Sequence, residues 1–252
     1  MPRVSVVTAS RNTAKTIAAL YQSLDGQTCR DFEWVVADAQ STDGTVDLLE
    51  EFASRSPWVR FVSAPDAGIY DGLNKAIALC AGDYYVVAGA DDIFAPDALS
   101  RYGEYAAAGN ADVVLARVRR GDRVIGGFRP RRAWLGPSRV FEGSHSLGTM
   151  IRKDLHRRFG RYSSRFPLLA DVYFLKTLLR SGAVTFASVD FVAGTFAEGG
   201  ATSTQQLQLL AENWQIQMLT EPSPGLQTLL LFAKMLLRYP AIRAQLRASR
   251  AS

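Results

Sequence analysis

The stretch from Trp34 to Ala53, WVVADAQSTDGTVDLLEEFA, predicts a buried β-strand, a polar turn and an amphipathic α-helix in that order. The apolar run at its start ends at Asp38, and the turn after it is rich in Ser, Thr, Asp and Gly. Apolar residues then recur at helical spacing, with Ser41 or Asp43 as the expected N-cap of the helix. Because a strand followed by a helix is the repeating unit of α/β proteins, this stretch indicates the fold class of the chain.

The same strand–helix pattern recurs through the first half of the sequence. Apolar strands are predicted at residues 4–7, 59–62 and 84–87, each followed by apolar residues at helical spacing. This alternation favours a mostly parallel central sheet with flanking helices. The second half is less regular, with short strands predicted at 113–116, 124–125 and 149–151, a long loop at 127–146, and helices at 168–179 and 207–218.

Polar side chains occur where several of these strands end. They are Thr8, Asp38, Asp66 and the adjacent pair Asp91 and Asp92. Ligands of open parallel sheets bind at the carboxyl ends of the strands, so we expect these separated residues to line one crevice. The sequence therefore predicts a ligand site at this edge of the sheet.

Asp91 and Asp92 are the candidate metal ligands. Two adjacent carboxylates repel each other unless a cation offsets their charge. Hard oxygen ligands suit Mg²⁺ or Mn²⁺, and either ion also binds diphosphate oxygens. The alternative interpretation is a solvated turn in which one Asp caps the next helix.

A second polar cluster lies in the segment PDAGIYDGLNK at residues 65–75. Asp66 falls in a turn, while Asp71, Asn74 and Lys75 are three and four residues apart in the predicted helix and share one face. The alternative to a ligand-binding role is an acidic helix cap with a solvated Lys.

Other enzyme classes lack their motifs in this sequence. There is no G-x-G-x-x-G and no G-x-x-x-x-G-K-[ST], which disfavours dinucleotide-dependent redox enzymes and P-loop NTPases. Cys29 and Cys80 have no zinc-binding spacing, and His145 and His156 support no Ser–His–Asp arrangement. A nucleotidyltransferase stays open as an alternative, although no Gly follows the first strand directly. So does a non-catalytic binding module, although loss of the carboxylate pair would favour it and the pair is present.

The chain has a formal net charge of +5, and its Arg and Lys residues are concentrated in the middle and in the C-terminal tail. A basic surface suits phosphorylated small molecules, nucleic acid or anionic lipid, and the alternative is a solvated basic face. The apolar residues from Leu229 to Leu237 lie among Lys234 and Arg238. They predict a helix that rests on a membrane surface, packs on the domain or makes a dimer contact. Pro240 is expected to interrupt it.

Several segments occur in the order found in family 2 glycosyltransferases, and the chain resembles that family. They are VSVVT at 4–8, STDGT at 41–45, DAGIYDGLNK at 66–75, GDY at 82–84 and the Asp pair, followed by Ser144-His145, Ala170-Asp171 and Gly199-Gly200. The closest subgroup has an Asp-x-Gly-Ile-Tyr-Asp-x-x-Asn-Lys run. The resemblance covers residues 3–203 and implies a GT-A type fold. It also implies inverting, metal-dependent transfer from a nucleoside diphosphate sugar to an acceptor hydroxyl.

The resemblance assigns residues to the donor nucleotide. Thr8 and Asp38 would contact the nucleoside, with Asp38 on the base. Asp66 would border the nucleotide pocket, together with Asn74 and Lys75.

It also assigns the metal and acceptor side of the site. Asp91 and Asp92 match the motif that binds Mn²⁺ or Mg²⁺ and the diphosphate, with Asp92 as the expected direct ligand. Asp171 matches the catalytic base. His145 matches a His on the acceptor or diphosphate side.

The chain departs from the family pattern at four positions. Ala39 and Gln40 replace the second Asp and the Gly of an Asp-Asp-Gly-Ser motif, which leaves the nucleotide open among UDP, GDP and dTDP. Gly89 stands where Asp or Asn is common, and Ala170 replaces a carboxylate before the base.

The predicted organisation is a glycosyltransferase domain at residues 1–203 and a C-terminal helical extension at 204–252. The implied acceptor is a glycan or a lipid-linked molecule in polysaccharide or glycolipid assembly for the cell envelope, and not nucleic acid. The first residues lead directly into a strand, which predicts no signal peptide. Cytoplasmic placement follows, with peripheral contact at the inner face of the membrane, and a homo-oligomer stays open.

Overall fold

A computed structural model of the protein describes residues 4–136, 140–141, 145–196 and 205–248. Ser144, Gly199-Gly200 and the expected domain boundary at 203/204 lie outside the described residues. The strands of the described chain form one nine-stranded sheet. They are β1 (Val4–Ser10), β2 (Phe32–Asp38), β3 (Val59–Ser63), β4 (Tyr84–Val87), β5 (Ile93–Phe94), β6 (Val113–Arg120), β7 (Arg123–Ile125), β8 (Thr149–Arg152) and β9 (Phe186–Thr195).

Helices cover both faces of this sheet. They are α1 (Ile17–Asp25), α2 (Thr45–Arg55), α3 (Ile69–Leu79), α4 (Ala98–Ala108), α5 (Leu155–Phe159), α6 (Ala170–Ser181), α7 (Gln206–Thr220) and α8 (Pro224–Ala248). Short 3₁₀ helices occur at Pro130–Leu135, inside the predicted long loop, and at Ser146–Gly148.

The first four strands in the order β3-β2-β1-β4 are parallel. In their register Val7 of β1 lies beside Val35 of β2 and Val87 of β4. Parallel strands covered on both faces bury both sets of side chains, which explains the uninterrupted apolar runs in the sequence. The carboxyl ends of these strands therefore meet at one edge, as the strand–helix pattern predicted.

The second half of the sheet is mixed. β8 runs antiparallel to β4 and β6, β9 is parallel to β6, and β5 is antiparallel to β9. The strand β9, with the sequence FASVDFVAGT, was not predicted. Its polar and Gly positions break the alternation, and several of its residues are only half-buried, so the period-2 signal is weak.

The helix α2 begins later than the sequence indicated. Its N-cap is Gly44, with a φ of 93°, and not Ser41 or Asp43. Asp43 still binds the helix start, because its Oδ1 accepts hydrogen bonds from the backbone N–H and the hydroxyl of Thr45. The positive φ favours Gly at the cap position, which moves the helix start to Thr45.

The last two helices of the described chain pack on the rest of the fold. α7 contacts α6, and α8 contacts α7. α8 continues through Pro240 to Ala248, so the expected interruption at Pro240 is wrong. None of the helices in the described part of the chain combines the length and the apolar character that a membrane-spanning segment needs.

Candidate active site

Asp38 joins the ends of three strands at the carboxyl edge of the sheet. Its Oδ2 accepts hydrogen bonds from the backbone N–H of Ser41 at 2.9 Å and from Oγ of Ser63 at 2.8 Å. Its Oδ1 accepts from Ser41 Oγ and, at 3.4 Å, from Ser10 Oγ. The buried carboxylate thus holds the ends of β1, β2 and β3 together, in addition to the expected role towards a base.

Thr8 does not present its side chain to the crevice. The residue is completely buried, and its Oγ1 accepts a hydrogen bond of 3.0 Å from the indole Nε1 of Trp34. Successive strand side chains point to opposite faces of a sheet. Thr8 therefore faces the apolar core around Trp34, and the expected side-chain contact between Thr8 and a nucleoside is not available in this arrangement.

Hydrogen bonds connect the loop after β1 to the loop after β2 at the carboxyl edge of the sheet. The N–H of Asn12 donates to Ser41 Oγ at 2.8 Å, and Asn12 Oδ1 accepts from the N–H of Thr42 at 2.9 Å. Gln40 has a φ of 53°. This left-handed conformation favours Gly, which is the residue that the resemblance places there. The backbone at this position follows the family pattern although the side chain does not.

The polar residues of the 66–75 segment bind mainly to the protein itself. Asn74 donates to the carbonyl of Tyr162 at 2.9 Å and accepts from the Tyr162 N–H at 3.0 Å. Lys75 pairs with Asp71 at 2.9 Å and donates to the carbonyl of Pro65. The structure thus uses Asn74 and Lys75 to hold α3 in place, which is closer to the alternative interpretation than to a nucleotide contact.

Asp66 lies near the carboxyl end of β1. It lies in the loop between β3 and α3 and is half-buried. A Cβ added to Gly72 would lie 3.0 Å from Asp66 Oδ2 and 3.0 Å from the Cβ of Ala9. The first turn of α3 therefore packs closely against β1, which places Asp66 beside the end of that strand.

Asp91 and Asp92 differ sharply in exposure. Asp91 is exposed, whereas Asp92 is 1% exposed and accepts a hydrogen bond of 2.8 Å from the N–H of Gly89. Burial raises the pKa of Asp92 to about 7, and the charge of Asp91 adds to the shift. Accessibility favours Asp91 as the direct ligand of a bound ion, whereas the resemblance pointed to Asp92.

Asp91 and Asp92 are the residues that could hold a divalent cation, and Asp91 is the accessible one of the two. In the described chain the basic group at ion-pair distance from Asp92 is His145, whose Nδ1 lies 3.8 Å from Asp92 Oδ2. Burial lowers the pKa of His145 to about 4, so the imidazole is neutral and brings no positive charge. No cluster of three or more ligating side chains occurs among the described residues. Mg²⁺ and Mn²⁺ suit such a site, because diphosphate oxygens and waters complete their coordination.

His145 connects this pair to a cavity of about 480 Å³ that contains Asp171. Its ring stacks on Phe196 with centroids 4.2 Å apart. Its Nδ1 accepts a hydrogen bond from the N–H of Leu147 at 3.3 Å, which leaves the proton of the neutral ring on Nε2. The cavity is lined by Tyr70, Arg120, His145 and Asp171 among mainly apolar side chains that include Ile69, Val87, Phe141, Val172 and Phe196.

Asp171 lies in the first turn of α6, on the wall of this cavity. Burial is the largest influence on its carboxyl group and raises the pKa. The backbone N–H groups at the helix start oppose that shift, because they favour the charged form. Ala170 before it is completely buried in the apolar core, where a carboxylate would be unpaired.

Tyr70 is a contact of Asp171 that the sequence did not reveal. Its hydroxyl donates a hydrogen bond of 2.6 Å to Asp171 Oδ1 across 101 residues of chain. Tyr70 belongs to the 66–75 segment, so the motif was visible, but its partner was not. The 66–75 segment and the carboxylate on α6 are therefore in direct contact.

A larger cavity, of about 740 Å³, lies at a different edge of the protein. It is bordered by Arg152, Lys153, His156, Arg157 and Arg161. Of the predicted site residues only Asn74 lines it, and neither Asp171 nor the carboxylate pair does. Of these two cavities, the smaller one is the one that Asp171 and His145 line.

The parallel half-sheet with its mixed continuation and flanking helices is the architecture of GT-A type glycosyltransferases. The sequence matches Glycosyl transferase family 2 over residues 5–180, and the chain belongs to this family. It is 28% identical over 212 residues to a PGL/p-HBAD biosynthesis glycosyltransferase of Mycobacterium bovis, covering 80% of this chain and 79% of the relative. It is 36% identical over 99 residues to the chondroitin synthase of Escherichia coli, covering 39% of this chain but only 14% of that much longer protein.

Solved structures share the fold. The mannosyltransferase PcManGT from Pyrobaculum calidifontis, in complex with GDP-Man and Mn²⁺, superposes with a TM-score of 0.69 at 21% identity, covering 100% of this chain and 76% of that one. S. aureus TarS 1-349 in complex with UDP-GlcNAc gives 0.65 at 18% identity, covering 92% and 70%. The protein is a glycosyltransferase with the fold of nucleotide-sugar-binding enzymes.

Proposed function

We propose that the protein transfers a sugar from a nucleoside diphosphate sugar to an acceptor hydroxyl with inversion at the anomeric carbon. The observation that carries this proposal is the continuous arrangement of Asp171, the cavity, His145 and the carboxylate pair. It provides one carboxylate at the acceptor side and two at the diphosphate side. A nucleotidyltransferase has no comparable use for Asp171, and a binding module needs no carboxylate with a raised pKa in the cavity.

Asp171 acts as the general base. The acceptor oxygen attacks the anomeric carbon, and its proton passes to the Asp171 carboxylate while the bond to the diphosphate breaks. The electron pair of that bond leaves with the diphosphate. Attack from the side opposite to the leaving group inverts the anomeric centre. The raised pKa of Asp171 makes its carboxylate a stronger base than that of an ordinary Asp.

Asp91 would hold Mn²⁺ or Mg²⁺ directly, and Asp92 would shape the turn through its bond to the Gly89 N–H. When bound, the ion neutralises charge on the departing diphosphate. The neutral His145 donates from Nε2 towards the cavity, where a phosphate oxygen or the acceptor can accept the hydrogen bond. Asp38 and Asp66 border the nucleoside end of the crevice.

Relatives guide the choice of substrates. The mycobacterial relative is named for PGL/p-HBAD biosynthesis, and the solved structures bind UDP-GlcNAc or GDP-Man. We therefore propose a glycolipid or polysaccharide acceptor and a UDP- or GDP-sugar donor. The apolar residues around Asp171 favour an acceptor with an apolar group near the reacting hydroxyl.

The test is release of nucleoside diphosphate from a set of UDP-, GDP- and dTDP-sugars, with Mn²⁺, with Mg²⁺ and with chelator. Asp171→Asn is expected to lower turnover by ~10²–10⁴-fold and to leave donor binding nearly unchanged. Asp25→Asn is the matched control, since Asp25 is an exposed residue at the far end of α1 that pairs with Arg30. Half of the normal turnover in Asp171→Asn would remove Asp171 from the mechanism.

We also propose that α8 rests on an anionic membrane surface. Two polar side chains of α8 bind the rest of the protein: Gln227 donates to the carbonyl of Trp134 at 3.1 Å, and Lys234 donates to that of Leu135 at 3.1 Å. Two residues further along a helix lie on the opposite face. There Leu229 and Leu236 are 66% and 77% exposed. Gln227 and Lys234 thus face the protein, whereas the large apolar side chains of Leu229 and Leu236 face outward.

The charge of this segment indicates what the exposed apolar face of α8 contacts. Residues 222–252 contain Lys234, Arg238, Arg243, Arg247 and Arg250, and neither Asp nor Glu. Pairing with a second copy of α8 would bring like charges together. Anionic lipid instead adds about 1 kcal/mol of attraction for each basic residue near the surface. An apolar face with basic flanks is the pattern of helices that lie in the headgroup region.

Vesicle co-sedimentation of the full chain tests this placement. Wild-type protein is expected to pellet with vesicles containing phosphatidylglycerol, less with phosphatidylcholine alone, and less at high salt. Leu229→Ser/Leu236→Ser should bind roughly tenfold more weakly. Leu79→Ser, at a half-exposed Leu on α3, should not differ from wild type. Equal pelleting of all variants, or a dimer that Leu229→Ser/Leu236→Ser abolishes, would overturn the proposal.

A further inference from the structure

We propose that Tyr70 is a positioning residue that holds the Asp171 carboxylate charged and directs it into the cavity. The inference rests on the proposed role of Asp171 as the base. Tyr70 and Asp171 belong to different elements, α3 and α6, and both line the cavity. Their 2.6 Å hydrogen bond links the 66–75 segment directly to the proposed base.

The hydroxyl of Tyr70 has one hydrogen and two acceptors in reach. Asp171 Oδ1 lies at 2.6 Å and the carbonyl of Leu168 at 3.0 Å. A charged acceptor forms the stronger bond, so the hydrogen points to Asp171 while the base is ionised. After Asp171 has taken the acceptor proton, the carbonyl of Leu168 is available to the same hydrogen. The two acceptors thus let Tyr70 stabilise the charged Asp171 before proton transfer and still donate a hydrogen bond, to the carbonyl of Leu168, afterwards.

This bond also fixes the direction of the carboxylate. With Oδ1 held by Tyr70, rotation of the carboxyl group would break a charge-assisted hydrogen bond. The ring of Tyr70 packs edge-on against Tyr162 with centroids 5.5 Å apart, so the donor itself has little freedom. Burial raises the pKa of Tyr70 well above its usual range, so the hydroxyl stays protonated and keeps its role as donor.

Other groups around Asp171 act in different ways. Glu212 of α7 accepts hydrogen bonds of 3.0 Å from the N–H groups of Leu168 and Leu169, and its charge raises the pKa of Asp171. Tyr162 and Tyr85 are buried phenols whose hydroxyls bond each other. Arg120 and His145 line the same cavity. Tyr70 is the side chain whose hydrogen bond lowers the pKa of Asp171 and opposes burial.

The experiment is the pH dependence of kcat for Tyr70→Phe in the full chain. The base must be deprotonated, so kcat falls as the pH drops through the pKa of Asp171. Loss of a bond that favours the carboxylate raises that pKa, and the acidic limb should move up by about one pH unit. Donor KM should stay unchanged. Tyr84→Phe is the matched control, because it removes a buried hydroxyl that donates to the carbonyl of Ala111 at 2.9 Å, outside the cavity.

A second variant tests the same role independently, in case Tyr70→Phe fails to fold. Incorporation of 3-fluorotyrosine at position 70 keeps the ring and makes the hydroxyl a stronger donor, so the acidic limb should move to lower pH. An acidic limb unmoved in both variants would overturn the role of Tyr70. If Asp171→Asn is inactive in that case, the proposed base stands and only the positioning role fails. If Asp171→Asn is active, the proposed function itself fails.

Discussion

Lys176 of α6 and Glu221 at the end of α7 form a buried ion pair. The Nζ of Lys176 also donates to Gln217 Oε1 at 2.6 Å and to the carbonyl of Ala133 at 3.1 Å. Burial lowers the pKa of Lys176, while the hydrogen bond and charge of Glu221 favour the ammonium form. This buried ion pair therefore links α6, the helix that carries Asp171, to the end of α7.

Removing one partner of this pair should strongly destabilise the protein. Lys176→Met leaves Glu221 buried without its main partner, and we expect a loss of about 3 kcal/mol in the free energy of unfolding. Arg180 lies 3.9 Å from Glu221 and remains in the variant, so the loss should be smaller than if no cation were near Glu221. Denaturant unfolding measures this value. Lys176→Met/Glu221→Met should recover most of the stability, because two apolar side chains replace two charges. Wild-type stability in Lys176→Met would show that the pair is not needed.

Asp38→Ala should affect both donor binding and the fold. A contact made equally in the ground state and the transition state raises the donor KM more than it lowers kcat. The loss of the serine hydrogen bonds should also cost about 1–3 kcal/mol of stability. Steady-state kinetics and thermal unfolding test the two effects. Ser63→Ala, which removes one bond to Asp38, is the control for the structural part. An unchanged KM with a collapsed kcat would contradict the nucleoside role.

Gly89→Ala should displace Asp91. The added Cβ would lie 2.8 Å from Asp91 Oδ1 and 3.4 Å from Asp92 Oδ2, so the flexible carboxylate of Asp91 must move. We expect about a tenfold rise in the Mn²⁺ concentration that gives half-maximal activity, equal to about 1.4 kcal/mol of lost binding free energy. Gly103→Ala, at a helix position with open space, should leave this value unchanged. The same metal dependence in both variants would argue against Asp91 as a ligand.

Stability should decline between pH 6.5 and pH 4 because of His156. Its Nδ1 donates to the carbonyl of Gly160 at 3.0 Å, and Nε2 accepts from Tyr85 at 2.7 Å. Burial lowers the pKa of His156 to about 4. In that pH range the unfolded chain therefore binds a proton that the folded chain does not, and stability falls as the pH falls. The contribution is up to about 3 kcal/mol. His156→Phe should reduce the slope of unfolding free energy against pH, and an unchanged slope would exclude His156 as its source.

Local sequence patterns were sufficient to predict the strands that are buried on both faces and the helices between them. β1, β2 and β4 are almost entirely buried and mainly apolar because helices cover the sheet on both faces, and the helices between the strands show one apolar stripe. β9 escaped prediction because its faces are half-exposed and its residues include Ser188, Asp190 and Gly194. Such a strand is specified by its neighbours β6 and β5 and not by its own sequence.

By itself the sequence determined the α/β class, the order of the motifs and the residue types at the strand ends, because these depend on short-range periodicity and on chemistry carried by single residues. The tertiary structure alone decided which way each side chain points and what it contacts. It turned Thr8 towards Trp34, bound Asn74 to Tyr162 and brought Tyr70 to Asp171. These contacts join residues 26, 88 and 101 positions apart. The pairing of β1 with β2 sets the first contact, and the packing of α3 against α6 and the chain before it sets the other two, since no local propensity extends that far along the chain.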